Sequence, residues 1–397
     1  MKIVILNSGS SSIKYQLIEM PSQTVICSGM IDRIGLDNSN LSYSTQKNQV
    51  EETLAVPNHT IGLEKIAALL LDEKVGVIKS TSEIQAVGHR VVHGGSDFSD
   101  TVVITDEVKD KIKQLFDLAP LHNPANLEGI TVAETIFSSA KQVAVFDTAF
   151  HQTIPVVAHK YAIPNSFLTD HKIRVYGFHG TSHKYVSEKA IDYLQQHNCT
   201  ASKIITIHLG NGCSMTAIKD GKSIDHTLGF GPMNGLIMGT RSGDIDQSVI
   251  FYLVNTLGFT LDKVNTLLQK ESGMFGLTGF SDLRDIEANA EKGDENCQLA
   301  LAMNVYRIKK YIGSYAAVLN GLDTIVFTAG IGENSSLMRK LVCTDMDYFG
   351  LTLDTEKNEI RSKEIREINL ANTKTKILVI PTNEELEIAN QVYDSLN

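Results

Sequence analysis

One arrangement, present twice, constrains this chain more than any other feature. Thr206-Ile207-His208-Leu209 is an apolar run that breaks into Gly210-Asn211-Gly212. It resumes as the alternating Cys213-Ser214-Met215-Thr216-Ala217, and Asp220-Gly221 then turns the chain into Lys222–His226. The pattern predicts two strands joined by a glycine loop, with a third strand beyond a tight turn. Glycines at 210 and 212 permit positive φ and let backbone N–H groups approach an anion. Alone, Gly-Asn-Gly between strands is more often a tight turn. The second copy changes its weight. Ile3-Val4-Ile5-Leu6 runs into Asn7-Ser8-Gly9-Ser10-Ser11, followed by Ser12-Ile13-Lys14-Tyr15, a turn at Pro21-Ser22 and a strand from Val25 to Met30. Two such units imply a duplicated α/β core whose loops face each other across a ligand cleft.

The length of 397 residues exceeds one ordinary core and suits two α/β domains. A net charge of -10 argues against nucleic acid as a partner, so an anionic ligand must be met by local cations and backbone dipoles. Cys27, Cys199, Cys213, Cys297 and Cys343 are scattered and form no Cys-x-x-Cys, which points to a reducing compartment. The chain enters a strand at once, and no apolar run approaches the roughly 20 residues of a membrane span. The expectation is a soluble cytoplasmic protein.

Polar and charged residues gather where predicted strands end, the usual ligand position in α/β proteins. Ile84–Val87 rises into Gly88-His89-Arg90-Val91-Val92-His93-Gly94-Gly95, and Gln142–Phe146 ends in Asp147-Thr148. His89 and His93 read equally well as structural histidines, and Asp147 as a helix cap; Arg90 is harder to explain structurally. Leu121-His122 precedes a helix start at Asn123-Pro124. A domain boundary is expected near Phe150 to Pro155, giving domains 1–150 and 151–384, with the helix of about 385–397 able to pack back on the first. In the second, Tyr176-Gly177-Phe178-His179-Gly180 precedes a helix, and a glycine-rich loop from Gly229 to Asp244 holds Arg241. Ser281-Asp282-Leu283-Arg284 opens another helix. Thr324–Thr328 predicts a strand running into a Gly330-Ile331-Gly332-Glu333-Asn334 loop and then a helix, a phosphate-binding order. At the start of the last helix, Glu384 or Glu385 reads either as a metal carboxylate or as a favourable dipole partner in the first turn.

Taken together these motifs closely resemble the acetate kinases, within the superfamily of acetate and sugar kinases, heat-shock chaperones and actin. The resemblance runs nearly end to end through Asn7–Ser12, His89–Gly95, Phe146–His151, Tyr176–His183, His208–Gly212, Met238–Asp244, Gly330–Asn334 and Pro381–Glu385. It implies two duplicated actin-like, ribonuclease H-like domains with the active site in the cleft between them, a homodimer, and reversible phosphoryl transfer from ATP to acetate, giving ADP and acetyl phosphate with Mg2+ or Mn2+. Carried over by position, Asn7 and Glu384 hold the metal and Lys14 sits near phosphate. Arg90 and Arg241 hold acetate and the moving phosphoryl, His179 is the transition-state hydrogen-bond donor, and Asp147 is an active-site carboxylate. Val92, Leu121, Phe178 and Pro232 form the methyl pocket. His208, Leu209, Gly210, Asn211, Gly212, Asp282, Leu283, Arg284, Gly330, Ile331, Gly332, Glu333 and Asn334 bind the nucleotide. The chain departs from the family's pattern at Gly231, Met233, Asn234 and Gln247.

The residue types suit that chemistry. A carboxylate attacking a phosphoryl group brings two anions together, so cations are required. The attacking carboxylate is already ionised at neutral pH, its reference pKa being about 4, and Asp147 is expected to position charge rather than take a proton. A propionate or butyrate kinase is the nearer alternative. A non-catalytic nucleotide-binding module would share the glycine loops but has no need of Arg90, His179 and Arg241 together. A hydrolase lacks its motifs, since Gly-x-Ser-x-Gly and His-Glu-x-x-His are both absent.

Overall fold

The computed structural model describes residues 1–397. Two compact units divide the chain, Met1–Phe150 with Asn383–Asn397, and His151–Thr382. The chain returns to the first unit at Asn383, so Glu384, placed by the sequence reading at the end of the second domain, begins a helix of the first. No helix is long and apolar enough to cross a membrane.

The first unit is built on β1 (Lys2–Ser8), β2 (Ser12–Glu19), β3 (Thr24–Asp32), β4 (Ser39–Thr45), β5 (Gln49–Leu54), β6 (Ala86–Val91), β7 (Val102–Val103) and β8 (Lys141–Phe146). They form one sheet in the order β5-β4-β3-β2-β1-β6-β8-β7, antiparallel from β5 to β1 and parallel across β1, β6 and β8. β1 shows why it is central. Its apolar residues alternate between two buried faces: Val4 and Leu6 join a cluster with Leu63, Ile66 and Ala133, whereas Ile3 and Ile5 pack with Ile388, Ala389 and Val392. The helices His59–Leu71 and Asn123–Ile136 therefore cover one face and the terminal helix Glu384–Leu396 the other. Gly88 permits that second contact, since a Cβ there would lie 2.8 Å from Val392 Cγ2.

The second unit repeats the plan with β9 (Lys203–Leu209), β10 (Cys213–Lys219), β11 (Lys222–His226), β12 (Thr324–Thr328), β13 (Arg366–Glu367) and β14 (Lys376–Val379). The order is β11-β10-β9-β12-β14-β13, with β9, β12 and β14 parallel. An antiparallel three-strand meander followed by two parallel strands is thus common to both units, as the duplicated α/β reading expects. The helix Glu295–Leu319 buries Val305, Ile308, Ile312, Tyr315 and Leu319, the stripe visible in the sequence. One expectation fails. The segment Ala329–Asn334 is a helical turn rather than a loop, because Ala329 takes a left-handed conformation (φ 64°) that swings the chain out of β12 straight into helix. A second helix, Ser336–Cys343, follows.

Candidate active site

In the first unit, Asn7, Arg90 and Asp147 sit at the carboxyl ends of the parallel strands β1, β6 and β8. Arg90 Nη2 donates to Asp147 Oδ2 and Nη1 to Asn7 Oδ1 at 3.3 Å, while Nε lies 3.9 Å from Glu384 Oε2. Arg90 Nε itself is buried without a hydrogen-bond acceptor. Burial would lower the guanidinium pKa, but the Asp147, Glu384 and Glu385 carboxylates more than reverse this, so Arg90 stays firmly charged. Burial pushes Glu384 upward; Arg90 opposes the shift, while the Asp147 and Glu385 carboxylates add to it. Lys14, paired with Asn7 across β1 and β2, makes an ion pair with Glu385 and is half exposed. It belongs to the cluster around Arg90.

Asn123, read from the sequence only as a helix start, and Asn126, which the sequence reading did not single out, hold this region in shape. Asn126 donates through Nδ2 to Ser8 O at 2.6 Å and accepts from Val92 N at 3.0 Å. Asn123 grips His93 through both its backbone N–H and carbonyl, at 3.1 and 3.0 Å. The Asn-x-x-Asn spacing, which puts both amides on one helix face, was the available signal. His89 donates to Gln142 Oε1 at 2.8 Å, and His93 Nδ1 accepts from Gly95 N at 2.9 Å. Both are buried, and burial pulls each pKa down to about 4, so they are structural histidines. Val92 is half-buried. Leu121 is 61% exposed beside a shallow hollow shared with Ser10 and Pro124.

In the second unit the loop between β9 and β10 gathers the chemistry. His179, left-handed at φ 56° ahead of the helix Gly180–Gln196, stacks on His208 with ring centres 4.4 Å apart. A Cβ on Gly212 would lie 3.3 Å from both Cε1 and Nε2 of His179 and 4.0 Å from Arg241 Nη1. Glycine at 212 therefore lets an imidazole edge and a guanidinium approach the same point. Arg241 donates to Pro232 O at 2.9 Å and has no carboxylate partner; burial pulls its pKa down, opposed only by Cys213. A half-buried cation so placed is equipped for an external anion. Phe178 is buried, its N–H donating to His226 Nε2 at 3.1 Å, and Pro232 is half-buried.

Alongside lies a cavity of about 700 Å³. Of the expected nucleotide residues, Gly210, Asn211, Asp282, Leu283, Arg284, Gly330, Ile331 and Asn334 line it. His208, Leu209, Gly212, Gly332 and Glu333 do not. Leu209 is core, and Gly332 packs against β9 and β12. Glu333 turns away, accepting from Thr382 N at 3.0 Å while its carbonyl is held by Arg339 and Arg366. Asp282 caps the helix Leu283–Glu291 and is pushed down to about 2 by Arg284, which folds back onto it. Ile237, Met274, Glu287, Asn304 and Arg361 also line the cavity, and nothing in their local sequence marks them. A larger hollow of about 980 Å³ borders Leu301, Val305, Tyr306 and Leu337, but no glycine loop reaches it.

The whole arrangement has known counterparts. The chain is 73% identical to an acetate kinase of Flavobacterium johnsoniae, with all of both chains covered. A crystal structure of Porphyromonas gingivalis acetate kinase superposes with a TM-score of 0.94 at 45% identity over 100% of each chain. A propionate kinase from Francisella tularensis does so with 0.91 at 42% over 98% of each. These full-length matches bear out the resemblance carried by the motifs, and the acetokinase family profile matches residues 2–390: the chain belongs to the acetokinase family.

Proposed function

We propose that this protein is an acetate kinase, transferring the γ-phosphoryl group of ATP reversibly to acetate. An acetate oxygen forms a bond to phosphorus, the bond from phosphorus to the bridging oxygen of ATP breaks, and ADP leaves with that electron pair. The observation that carries the reading is the convergence of His179 and Arg241 on the side-chain-free face of Gly212, with no carboxylate to neutralise the arginine. Such donors stabilise charge that develops on a transferring phosphoryl group. The cavity beside them, lined by Asn211, Gly330 and Asn334, is of a size for a nucleotide.

Arg90, clamped by Asp147, offers its buried, unaccepted Nε to an anion. Asp147 therefore orients the arginine rather than removing a proton. Val92, Leu121, Phe178 and Pro232 are the proposed methyl contacts. Oxygen donors from Asn7, Glu384 and Asp147 cluster without three carboxylate, histidine or cysteine ligands together. That set fits Mg2+, which takes one or two protein carboxylates and completes its shell with water and phosphate oxygens. Bound there, it would neutralise phosphate charge. Glu384→Ala should then raise the Mg2+ concentration for half-maximal activity severalfold, whereas an unchanged metal dependence would return Glu384 to a helix-start role. The further reading is a cytoplasmic homodimer. Five free cysteines support the compartment, and the exposed Phe251, Tyr252, Leu257 and Leu261 offer an apolar face for a second copy.

The test is ATP turnover with a panel of short carboxylates, trapping acyl phosphate with hydroxylamine. Acetate should exceed propionate by about tenfold in kcat/KM, a surplus methylene costing roughly 1–3 kcal/mol. Equal use of propionate would favour the propionate kinase reading, for which the 42% identical relative is the specific support. ATP binding without acyl phosphate would favour a non-catalytic module.

A further inference from the structure

His179 is one end of a buried chain of side chains. Its Nδ1 lies 2.8 Å from Ser214 Oγ; that oxygen is 2.7 Å from His183 Nε2; and His183 Nδ1 is 2.7 Å from Thr206 Oγ1. Ser214, His183 and Thr206 are all 0% exposed. The local structure explains the alignment. His179 is the left-handed cap of the helix Gly180–Gln196, and His183 in its first turn donates its N–H to the His179 carbonyl at 2.9 Å, which brings the two residues together. Thr206 and Ser214 lie on the paired strands β9 and β10, where Thr206 is opposite Thr216 and Ser214 opposite His208, which puts both on the same face of the sheet.

The number of hydrogens sets the direction of the chain. Ser214 has one hydroxyl hydrogen and two imidazole neighbours, so one histidine must donate to it. Thr206 decides which. Its buried hydroxyl has His183 Nδ1 as its side-chain partner, and a hydrogen pointed anywhere else would be a buried donor without an acceptor. Thr206 therefore donates to His183 Nδ1, His183 Nε2–H donates to Ser214, and Ser214 donates to His179 Nδ1. Burial, with neighbouring His151, His208 and His179, keeps His183 neutral and so supports this single-proton arrangement. The groups around His179 include His208 on its face, His183 through Ser214, Arg241 across Gly212, and His226 within electrostatic reach.

We propose that Thr206, His183 and Ser214 are positioning residues that hold His179 in the tautomer carrying its hydrogen on Nε2, the nitrogen that faces Gly212 and Arg241. The opposite tautomer would turn a nitrogen lone pair toward the phosphoryl oxygens. The consequence for catalysis rests on the role given to His179 above; the tautomer itself does not.

The experiment is 15N spectroscopy of the full-length, histidine-labelled protein, with His179 assigned by the signal lost in His179→Gln, alongside steady-state kinetics. The native protein should show a pyrrole-like Nε2 and a pyridine-like Nδ1 at His179. Thr206→Val is close in shape and removes only the hydroxyl; it should give a mixture of tautomers and a severalfold lower kcat, with KM for ATP and acetate within about twofold. Ser214→Ala should cost about ten- to a hundredfold in kcat. Thr206→Ser should restore both the spectrum and the rate, which a general packing defect would not allow. A native His179 carrying its hydrogen on Nδ1 would overturn the proposal, as would Thr206→Val and Ser214→Ala proteins with unchanged tautomer and rate. If His179→Gln itself turned over normally, the assignment of His179 to the reaction would fall while the spectra still decided the tautomer.

Discussion

Arg90 and Arg241 are the same residue type in opposite circumstances. The first is neutralised by Asp147 and neighboured by Glu384; the second donates only to neutral acceptors, the Pro232 carbonyl and, weakly, the Met238 sulfur. Removing Arg241 should therefore affect the reaction far more than the fold. Arg241→Ala is expected to lower kcat by about a hundredfold or more, some 3 kcal/mol, while the loss of its hydrogen bonds to the Pro232 carbonyl and the Met238 sulfur costs about 1 kcal/mol of stability. Near-native turnover in the folded variant would remove Arg241 from the mechanism. His89 makes a different residue-scale prediction. In the folded protein it stays neutral down to about pH 4, whereas unfolded it takes a proton near 6.5. Its contribution to stability is complete above 6.5 and is lost as pH falls from 6.5 toward 4. The slope is up to about 1.4 kcal/mol per pH unit for each such histidine. His89→Gln should flatten the dependence of the urea midpoint between pH 6.5 and 5, where ordinary carboxylates scarcely titrate. An unchanged slope would mean that His89 is protonated in the folded state.

Among elements, the β9–β10 turn is where geometry and chemistry coincide. Gly212 does not have a positive φ, so alanine there meets no backbone strain; the added Cβ meets His179 at 3.3 Å instead. Gly212→Ala should lower kcat by more than about tenfold by moving the imidazole or Arg241, with a stability cost near the lower end of the 1–3 kcal/mol typical of overpacking. Parallel measurement of kcat and thermal midpoint checks this, and a variant of native activity would show that the approach of His179 to Gly212 is not needed. The Ala329–Asn334 turn shows the limit of local reading. Gly-Ile-Gly-Glu-Asn looks like a loop by composition, but the left-handed Ala329 and the hydrogen bonds to the carbonyls of Gly332 and Glu333 wind it into helix and turn Glu333 out of the cavity.

At the scale of the molecule, the first unit is completed by the last residues of the chain. Ile388, Ala389 and Val392 close the face of the sheet formed by Ile3, Ile5, Ile18, Val143 and Val145. A chain ending at Thr382 should lose order in the first unit, since removing even one large buried apolar side chain costs about 2–5 kcal/mol. Hydrogen exchange should show β1 and β6 amides losing protection while β9, β10 and β12 keep theirs. Retained protection in β1 would show that the terminal helix is dispensable.

Much of this was legible in the sequence because it is written locally. Alternation in Ile3–Leu6 and Thr206–Leu209 specifies buried strands, glycines at 210 and 212 specify the turn between them, and the motifs around Arg90, His179 and Arg241 carry the family. What the sequence alone could not reveal are contacts between residues remote along the chain, which burial and packing decide rather than local propensity. The approach of Glu384 to Arg90, the grip of Asn126 on Ser8, and the line from Thr206 through His183 and Ser214 to His179 all arise this way. A polar group buried by the fold must find its partner there, whatever the distance in sequence, and only the tertiary structure shows which partner it found.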